Sequence, residues 1–138
     1  LDRHFAIRYK PAVDEERAQR MNTKKKRKPI PKAVRMQVYE KYDGRCAYCG
    51  CKLEYKDMQV DHINPLYWHN GEDSIENYNP ACRMCNFYKS AYTVEKFREQ
   101  IQTIRDRLER NFIYRLAKKY GVVKESTEPI RFYFEKVD

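Results

Sequence analysis

The stretch Val60–Asn86 reads VDHINPLYWHNGEDSIENYNPACRMCN. It gathers two of the chain's three histidines, two of its five cysteines and five asparagines. Its cysteine pair, Cys82-x-x-Cys85, has a counterpart upstream in Cys46-x-x-Cys49, with 32 residues between the two pairs. Each pair sits on a tight turn, so two sulfurs can reach one ion. Together the pairs make a tetrahedral four-sulfur site, the arrangement of structural zinc. A catalytic zinc needs an open position, and four thiolates leave none. The competing readings are an iron–sulfur cluster and two unrelated pairs of buried thiols. Cys51 makes the cysteine count odd and is expected to be a spare, non-ligating thiol. Paired C-x-x-C turns suit a reducing compartment better than a disulfide framework, so the expected location is the cytoplasm, or the nucleus in a eukaryote.

A second constellation lies inside the same stretch. Asp61-His62 closes a short apolar run, which offers a carboxylate for a metal and an imidazole for a proton. Asn86 follows Cys85 directly, so the zinc turn fixes it at the start of the next helix. If that helix packs on the Asp-His strand, Asp61 and Asn86 can share one cation. Two oxygen donors suit a hard ion, Mg²⁺ or Mn²⁺. Zinc would thus pin both ends of a long polar loop that cannot hold itself rigid, coupling metal binding to folding.

The 138 residues are enough for one domain with a modest core. The chain is 36% charged but also 14% aromatic, which is not the composition of a disordered segment. Its net charge of +9 is unevenly spread. Residues 1–42 carry 13 basic and 5 acidic side chains, 43–90 carry 5 and 7, and 91–138 carry 11 and 8. The chemistry lies in the slightly acidic middle and the positive charge on the flanks, a distribution that fits a polyanionic partner. No segment is apolar enough to span a bilayer. The opening LDRHFAIRYKP lacks the apolar core of a signal peptide, and a start at Leu1 reads as a trimmed chain or a fragment.

Three segments are expected. Residues 1–29 form a basic N-terminal arm or extension, with RHFAIRYK as a short strand and VDEERAQRM as a short helix or mobile piece. Its run Lys24, Lys25, Lys26, Arg27 and Lys28 reads as a phosphate-tracking arm, a solvated tail or a nuclear localisation signal. Residues 30–92 form the core. Here PKAVRMQVYEKYDG reads as a helix entered at Pro31, with Val34 and Val38 on one face and Gly44 at its end. GRCAYCGCKL is a turn holding two ligands, and KDMQVDHINP holds a short strand. The polar loop beyond it turns at Asn70–Gly71 and contains His69. Residues 93–138 begin with a long amphipathic helix. Val94, Phe97, Ile101, Ile104, Leu108, Phe112, Leu116 and Tyr120 recur every three or four residues on one face. Thr93 caps its start, Gly121 closes its end, and Asn111–Phe112 marks a bend or break. PIRFYFEKV alternates like a terminal strand packed on the core.

The ordered elements C-A-Y-C-G, V-D-H-I-N-P-L, N-G-E-D-S-I-E-N and C-R-M-C-N-F-Y-K, over roughly residues 30–100, resemble the HNH endonucleases in their zinc-stabilised form. The resemblance implies a small α+β fold: a ββα-metal, or His-Me finger, core with a four-cysteine zinc site and flanking helices. It implies that His62 is the general base, Asp61 a ligand of the catalytic metal, Asn77 the brace of the loop, and Asn86 the third named position. That position is Asn rather than His, a variant also found in the HNH domains of CRISPR effectors, which favours an oxygen-ligated magnesium site. Asn77 fits the family spacing better than Asn79 or Asn70. Lys89, one turn after Asn86, reads equally as a phosphate contact or as a plain surface lysine.

The function expected from these residues is hydrolysis of a phosphodiester in DNA, double-stranded in the first instance, by a histidine base and one divalent ion. The alternatives are a non-catalytic zinc module that binds nucleic acid and an RNA-cleaving enzyme. Target specificity, nicking against double-strand cutting, biological role and oligomeric state are not encoded legibly.

Overall fold

The computed structural model describes residues 28–66 and 71–137. The expected N-terminal strand and helix, Lys24 to Arg27, His69 and Asn70 lie outside the described residues. The chain divides after Ile30, and every helix and strand named below lies in the second unit, Pro31–Asp138.

Pro31 sets the entry to helix α1, Lys32–Glu40, and its carbonyl accepts the Arg35 N–H at 2.9 Å. The helix buries Val38 against the core. It stops where expected: Asp43 and Gly44 both take positive φ, 52° and 71°. A Cβ on Gly44 would press on the Tyr39 hydroxyl, so the turn requires glycine.

The next residues fold into a small knuckle. Cys46 N–H bonds to the Cys51 carbonyl at 2.9 Å and Gly50 N–H to the Cys46 carbonyl at 3.0 Å. After a 3₁₀ turn at Tyr55–Asp57 comes strand β1, Gln59–His62. A second 3₁₀ turn, Ile75–Asn77, leads into strand β2, Tyr78–Ala81. The strands are antiparallel, with Asp61 opposite Asn79 and His62 opposite Tyr78. Helix α2, Arg83–Lys89, follows β2 directly and packs on β1. This is a two-stranded α+β unit, of the class the sequence predicts. β2 falls in a stretch that reads as polar loop, because Asn79 and Pro80 hide it from any β-propensity argument. Pro80 is tolerated because the sheet has only two strands, and its carbonyl still accepts the Ala47 N–H at 2.8 Å.

The C-terminal amphipathic pattern breaks in two places, at Thr103, which the sequence does not mark, and at Asn111, where a break is expected. Helix α3, Val94–Gln102, is capped by Thr93, whose hydroxyl accepts the Lys96 N–H at 3.2 Å. It breaks at Thr103, whose side chain turns back to bond the Gln100 carbonyl at 2.9 Å. Helix α4, Ile104–Leu108, is short, and helix α5, Phe112–Lys119, starts afresh at Asn111. Asn111 caps α5 by accepting the Tyr114 N–H at 3.2 Å, and Gly121 closes it at φ 70°. The two breaks take the apolar stripe off the core. Phe97 is buried and Val94 and Ile101 pack beside it, whereas Phe112 and Tyr120 are exposed.

PIRFYFEKV is not a strand. Its centre is a one-turn helix α6, Tyr133–Lys136. The alternation has another cause: Phe132 and Phe134 both lie against the Tyr48 ring, at 5.3 and 6.0 Å. The Tyr133 and Phe134 N–H groups bond to the carbonyls of Tyr48 and Ala47 at 3.0 and 2.9 Å. Glu135 folds back to accept the Phe132 N–H at 2.8 Å, which closes the turn. Arg98 holds that carboxylate and stacks 4.8 Å above the Phe132 ring.

The core is thus aromatic and draws on both ends of the unit. Phe97 and Phe132 stack at 5.1 Å, and Tyr48 stands edge-on to each. No helix among the described residues is long and apolar enough to cross a membrane. Phe132, 4% exposed, ties the last segment to the knuckle. Phe132→Ala is expected to cost about 3–5 kcal/mol in urea unfolding. A change within error would show that the C-terminal segment is not part of the core.

Candidate metal and nuclease site

The four expected zinc ligands meet. The Sγ atoms of Cys46, Cys49, Cys82 and Cys85 all lie within 4.8 Å of one another, and Cys49 and Cys82 are 3.8 Å apart. A tetrahedron with metal–sulfur bonds of about 2.3 Å has edges of about 3.8 Å, so the spacing suits zinc. The Cys82 sulfur also accepts the Cys85 N–H at 3.4 Å, which seats the second turn on the start of α2. Cys46 has its thiol lowered to about 4, chiefly by the hydrogen bond from Cys85. That same bond, followed by burial, pushes Cys85 up. Four sulfurs crowded this closely fit a site completed by a dication. Cys51 is exposed and is not part of the four-sulfur cluster, as expected of a spare thiol. Burial first, and then the neighbouring Cys49, pushes it up to about 12.

Strand alternation sends Asp61 and His62 to opposite sides of β1. Asp61 points inward and is 4% exposed. Its carboxylate accepts the Tyr48 hydroxyl and pairs with Lys89 Nζ at 3.0 Å. Burial pushes the Asp61 carboxyl up, against the pull of Lys89 and then of Tyr48. Burial, and then the Asp61 charge, raises the Tyr48 phenol. Lys89 also donates to the His62 carbonyl at 2.8 Å.

Lys89 is therefore neither a phosphate contact nor a surface lysine, and that expectation is corrected. It is fully buried. Helix α2 is short, and its last turn packs onto β1, so the side chain runs inward to the one buried carboxylate. Arg35 is likewise spent inside, donating to the carbonyls of Tyr55 and Met58. Lys28 is exposed.

His62 has the other environment. Its Nε2 lies 2.7 Å from Asp73 Oδ1, and its ring stands edge-on to Tyr78 at 5.2 Å. Asn77 clamps the loop between them. Its Oδ1 accepts the Asn64 N–H at 2.8 Å, and its Nδ2 donates to the carbonyls of Asn64 and Glu72 at 3.0 and 2.9 Å. The Ile63 N–H adds a bond to the Asn77 carbonyl at 2.9 Å. Gly71 passes so close to Asn64 that a Cβ would collide with the Asn64 carbonyl. Asn79, the rival for the bracing role, is instead buried, its Oδ1 accepting from Lys41 Nζ at 3.2 Å.

Asn86 sits in the middle of α2 and lines a groove with Gln59, Arg83 and Phe87. Asp61 is not among the residues lining that groove. The donor set, one carboxylate and one amide oxygen on packed elements, fits a hard cation in type. The Asp61 carboxylate already carries Lys89, so such a cation has to share the carboxylate with that ammonium or displace it. Sequence reasoning missed Tyr48, Asp73 and the burial of Lys89. Nothing in the sequence marks Asp73 among three acidic residues in five, and only the folded loop brings it to His62.

Residues 46–91 match the family model of the HNH endonuclease. The match takes in a third of the chain, with all four clustered cysteines and the Asp61-His62 pair inside it. Among curated proteins it is similar to YoqL, a prophage-derived protein of Bacillus subtilis strain 168 named as an HNH endonuclease, at 28% identity over 67 residues. It is also similar to the CRISPR-associated endonuclease Cas9 of Corynebacterium diphtheriae, at 31% over 52 residues. These matches take in 41% and 38% of this chain but only 27% and 5% of the relatives. Among solved structures, the Type II-C Cas9 of Actinomyces naeslundii aligns with 66% of the chain and 10% of its own, at 21% identity and a TM-score of 0.46.

Two outcomes are expected for this site. The purified protein should hold about one zinc per chain, released only with loss of fold. Cys46→Ser or Cys85→Ser should give unfolded protein, while Cys51→Ser behaves as the parent; metal analysis alongside circular dichroism reads both. Lys89→Met, which strands a buried carboxylate, is expected to cost about 3–5 kcal/mol. Adding Asp61→Leu should recover most of that loss, as urea unfolding of the pair will show.

Proposed function

We propose that the HNH domain of this chain is a metal-dependent DNA endonuclease in which His62 is the general base. The observation that carries the reading is the clamp of Asn77 across the loop, which presents the His62 imidazole at the end of β1 beside Asp73. A histidine on a strand end, braced from its own loop, is suited to take a proton from water as it attacks phosphorus. Asp61 and Asn86 are the residues that would hold Mg²⁺ or Mn²⁺. Bound there, the ion would supply charge neutralisation at the phosphate and the leaving oxygen. Zinc at the four cysteines has a structural part only.

On this reading the flanks provide the grip on DNA. Residues 43–90 are net acidic, and Lys89 and Arg35 are engaged inside the fold. Lys24, Lys25, Lys26, Arg27 and Lys28 form the densest basic run in the chain. One observation favours a second reading, a non-catalytic module that binds nucleic acid: the Asp61 carboxylate is buried and already paired.

The deciding experiment incubates the protein with a supercoiled plasmid and with a structured RNA, in magnesium and in EDTA. Cleavage of the plasmid in magnesium alone supports the proposal. Binding without cleavage supports the second reading, and cleavage of the RNA alone makes this an RNA-cleaving member. His62→Ala is expected to lower turnover by roughly two to four orders of magnitude with zinc content and DNA binding intact. Asn86→Ala should abolish magnesium-supported cleavage at constant zinc, and so should Asp61→Leu combined with Lys89→Met, which leaves no buried charge unpaired. Replacing residues 24–28 with Gln should weaken binding on every DNA sequence and flatten its salt dependence; an unchanged slope would reduce the run to a solvated tail.

A further inference from the structure

The His62 imidazole has two nitrogens, and the fold occupies one of them. Nε2 lies 2.7 Å from Asp73 Oδ1. The same oxygen accepts the Tyr78 hydroxyl at 3.1 Å. Tyr78 is the register partner of His62 across the sheet, and its ring packs edge-on against the imidazole at 83°. Asp73 is also fixed from its backbone side. The Asn77 amide holds the Glu72 carbonyl at 2.9 Å, and the Asn77 N–H closes onto the Ser74 carbonyl at 3.0 Å. The carboxylate is thus placed by the strand register, by a phenol and by the amide that braces the loop.

We infer that Asp73 is a positioning residue for His62, accepting the Nε2 proton so that Nδ1 is left as the proton-accepting face. This rests on the reading of His62 as the base and extends it to the device that aims the ring. It also gives the brace a route of action: Asn77 holds Glu72, Glu72 carries Asp73, and Asp73 holds the imidazole.

The energetics favour orientation over stability. Asp73 is 59% exposed and His62 17% exposed. Pairs in such surroundings contribute little to folding. A carboxylate behind an imidazole fixes its tautomer and ring plane, and behind metal-bound histidines the loss of such a support costs about 10–100-fold in metal affinity or activity. Asp73 carries a negative charge, so its removal gives no reason for weaker DNA binding.

The test combines proton NMR with cleavage kinetics on the zinc-loaded full chain. The parent, with its imidazole neutral, should show a downfield His62 Nε2–H resonance protected from exchange. Asp73→Ala should lose that resonance and lower kcat by about 10–100-fold, with the thermal midpoint and zinc content unchanged and KM not raised. Asp73→Asn keeps an oxygen that can accept from Nε2, and should recover part of kcat. The resonance surviving in Asp73→Ala would overturn the inference, as would an unchanged kcat. A loss of Mn²⁺ binding by Asp73→Ala, measured by electron paramagnetic resonance without DNA, would make Asp73 a metal ligand and overturn it as well. A parent that leaves every DNA intact fails the nuclease reading alone, since the resonance still decides whether Asp73 holds His62.

Discussion

Four sulfurs within 4.8 Å of one another join two turns that the chain separates by 32 residues. The rest of the domain depends on that closure. The first turn carries Tyr48, the centre of the aromatic core, and the second starts α2, which carries Asn86 and Lys89. With a sheet of two short strands, the unit has little else to hold these pieces in place, since a lone pair of strands is marginal in water. The Ala47–Pro80 hydrogen bond and the packing of Phe132 on Tyr48 reinforce the closure, and both radiate from the first knuckle. A metal held by the four sulfurs would therefore act on the same residues as core formation.

The second constraint is the period of a strand. Adjacent residues on β1 face opposite ways, so Asp61 and His62 cannot share an environment. Asp61 goes under, to Tyr48 and Lys89, while His62 goes to the loop side, to Tyr78 and Asp73. One dipeptide thus yields a buried ion pair and a partly open imidazole. The backbone between them is held by the same lysine, which bonds both the Asp61 carboxylate and the His62 carbonyl. Changing Lys89 thus touches both residues at once.

What could be read from the sequence was local or strongly patterned. The C-x-x-C pairs, Gly44, Thr93, Asn111 and Gly121 each act through one turn, and each does what its residue type dictates. Asn77 was legible only through family resemblance; its spacing alone does not distinguish it from Asn79. What escaped was long-range. Lys89 looks like any helix lysine until α2 packs on β1. Asp73 is one acidic residue of three until the loop closes. Strand β2 is hidden by Asn79 and Pro80, whose place in the sheet comes from the register with β1. The alternation of Phe132 and Phe134 is a true signal of burial but not of a strand, because an aromatic core and a pleated sheet ask for the same spacing.

The amphipathic stripe teaches a related point. A period of three or four residues says that a face is apolar, not that one continuous helix carries it. Thr103 and Asn111 each supply a side-chain hydrogen bond that competes with the helix, and the chain breaks at both. Before the first break the stripe reaches the core through Phe97 and Ile101. Beyond the second, Phe112, Ile113 and Tyr120 face solvent among the described residues. Side chains left this exposed add little to folding. The stability of the unit therefore rests on the residues up to Ile101 and on the return of Phe132, and not on the helix that the periodicity makes most conspicuous.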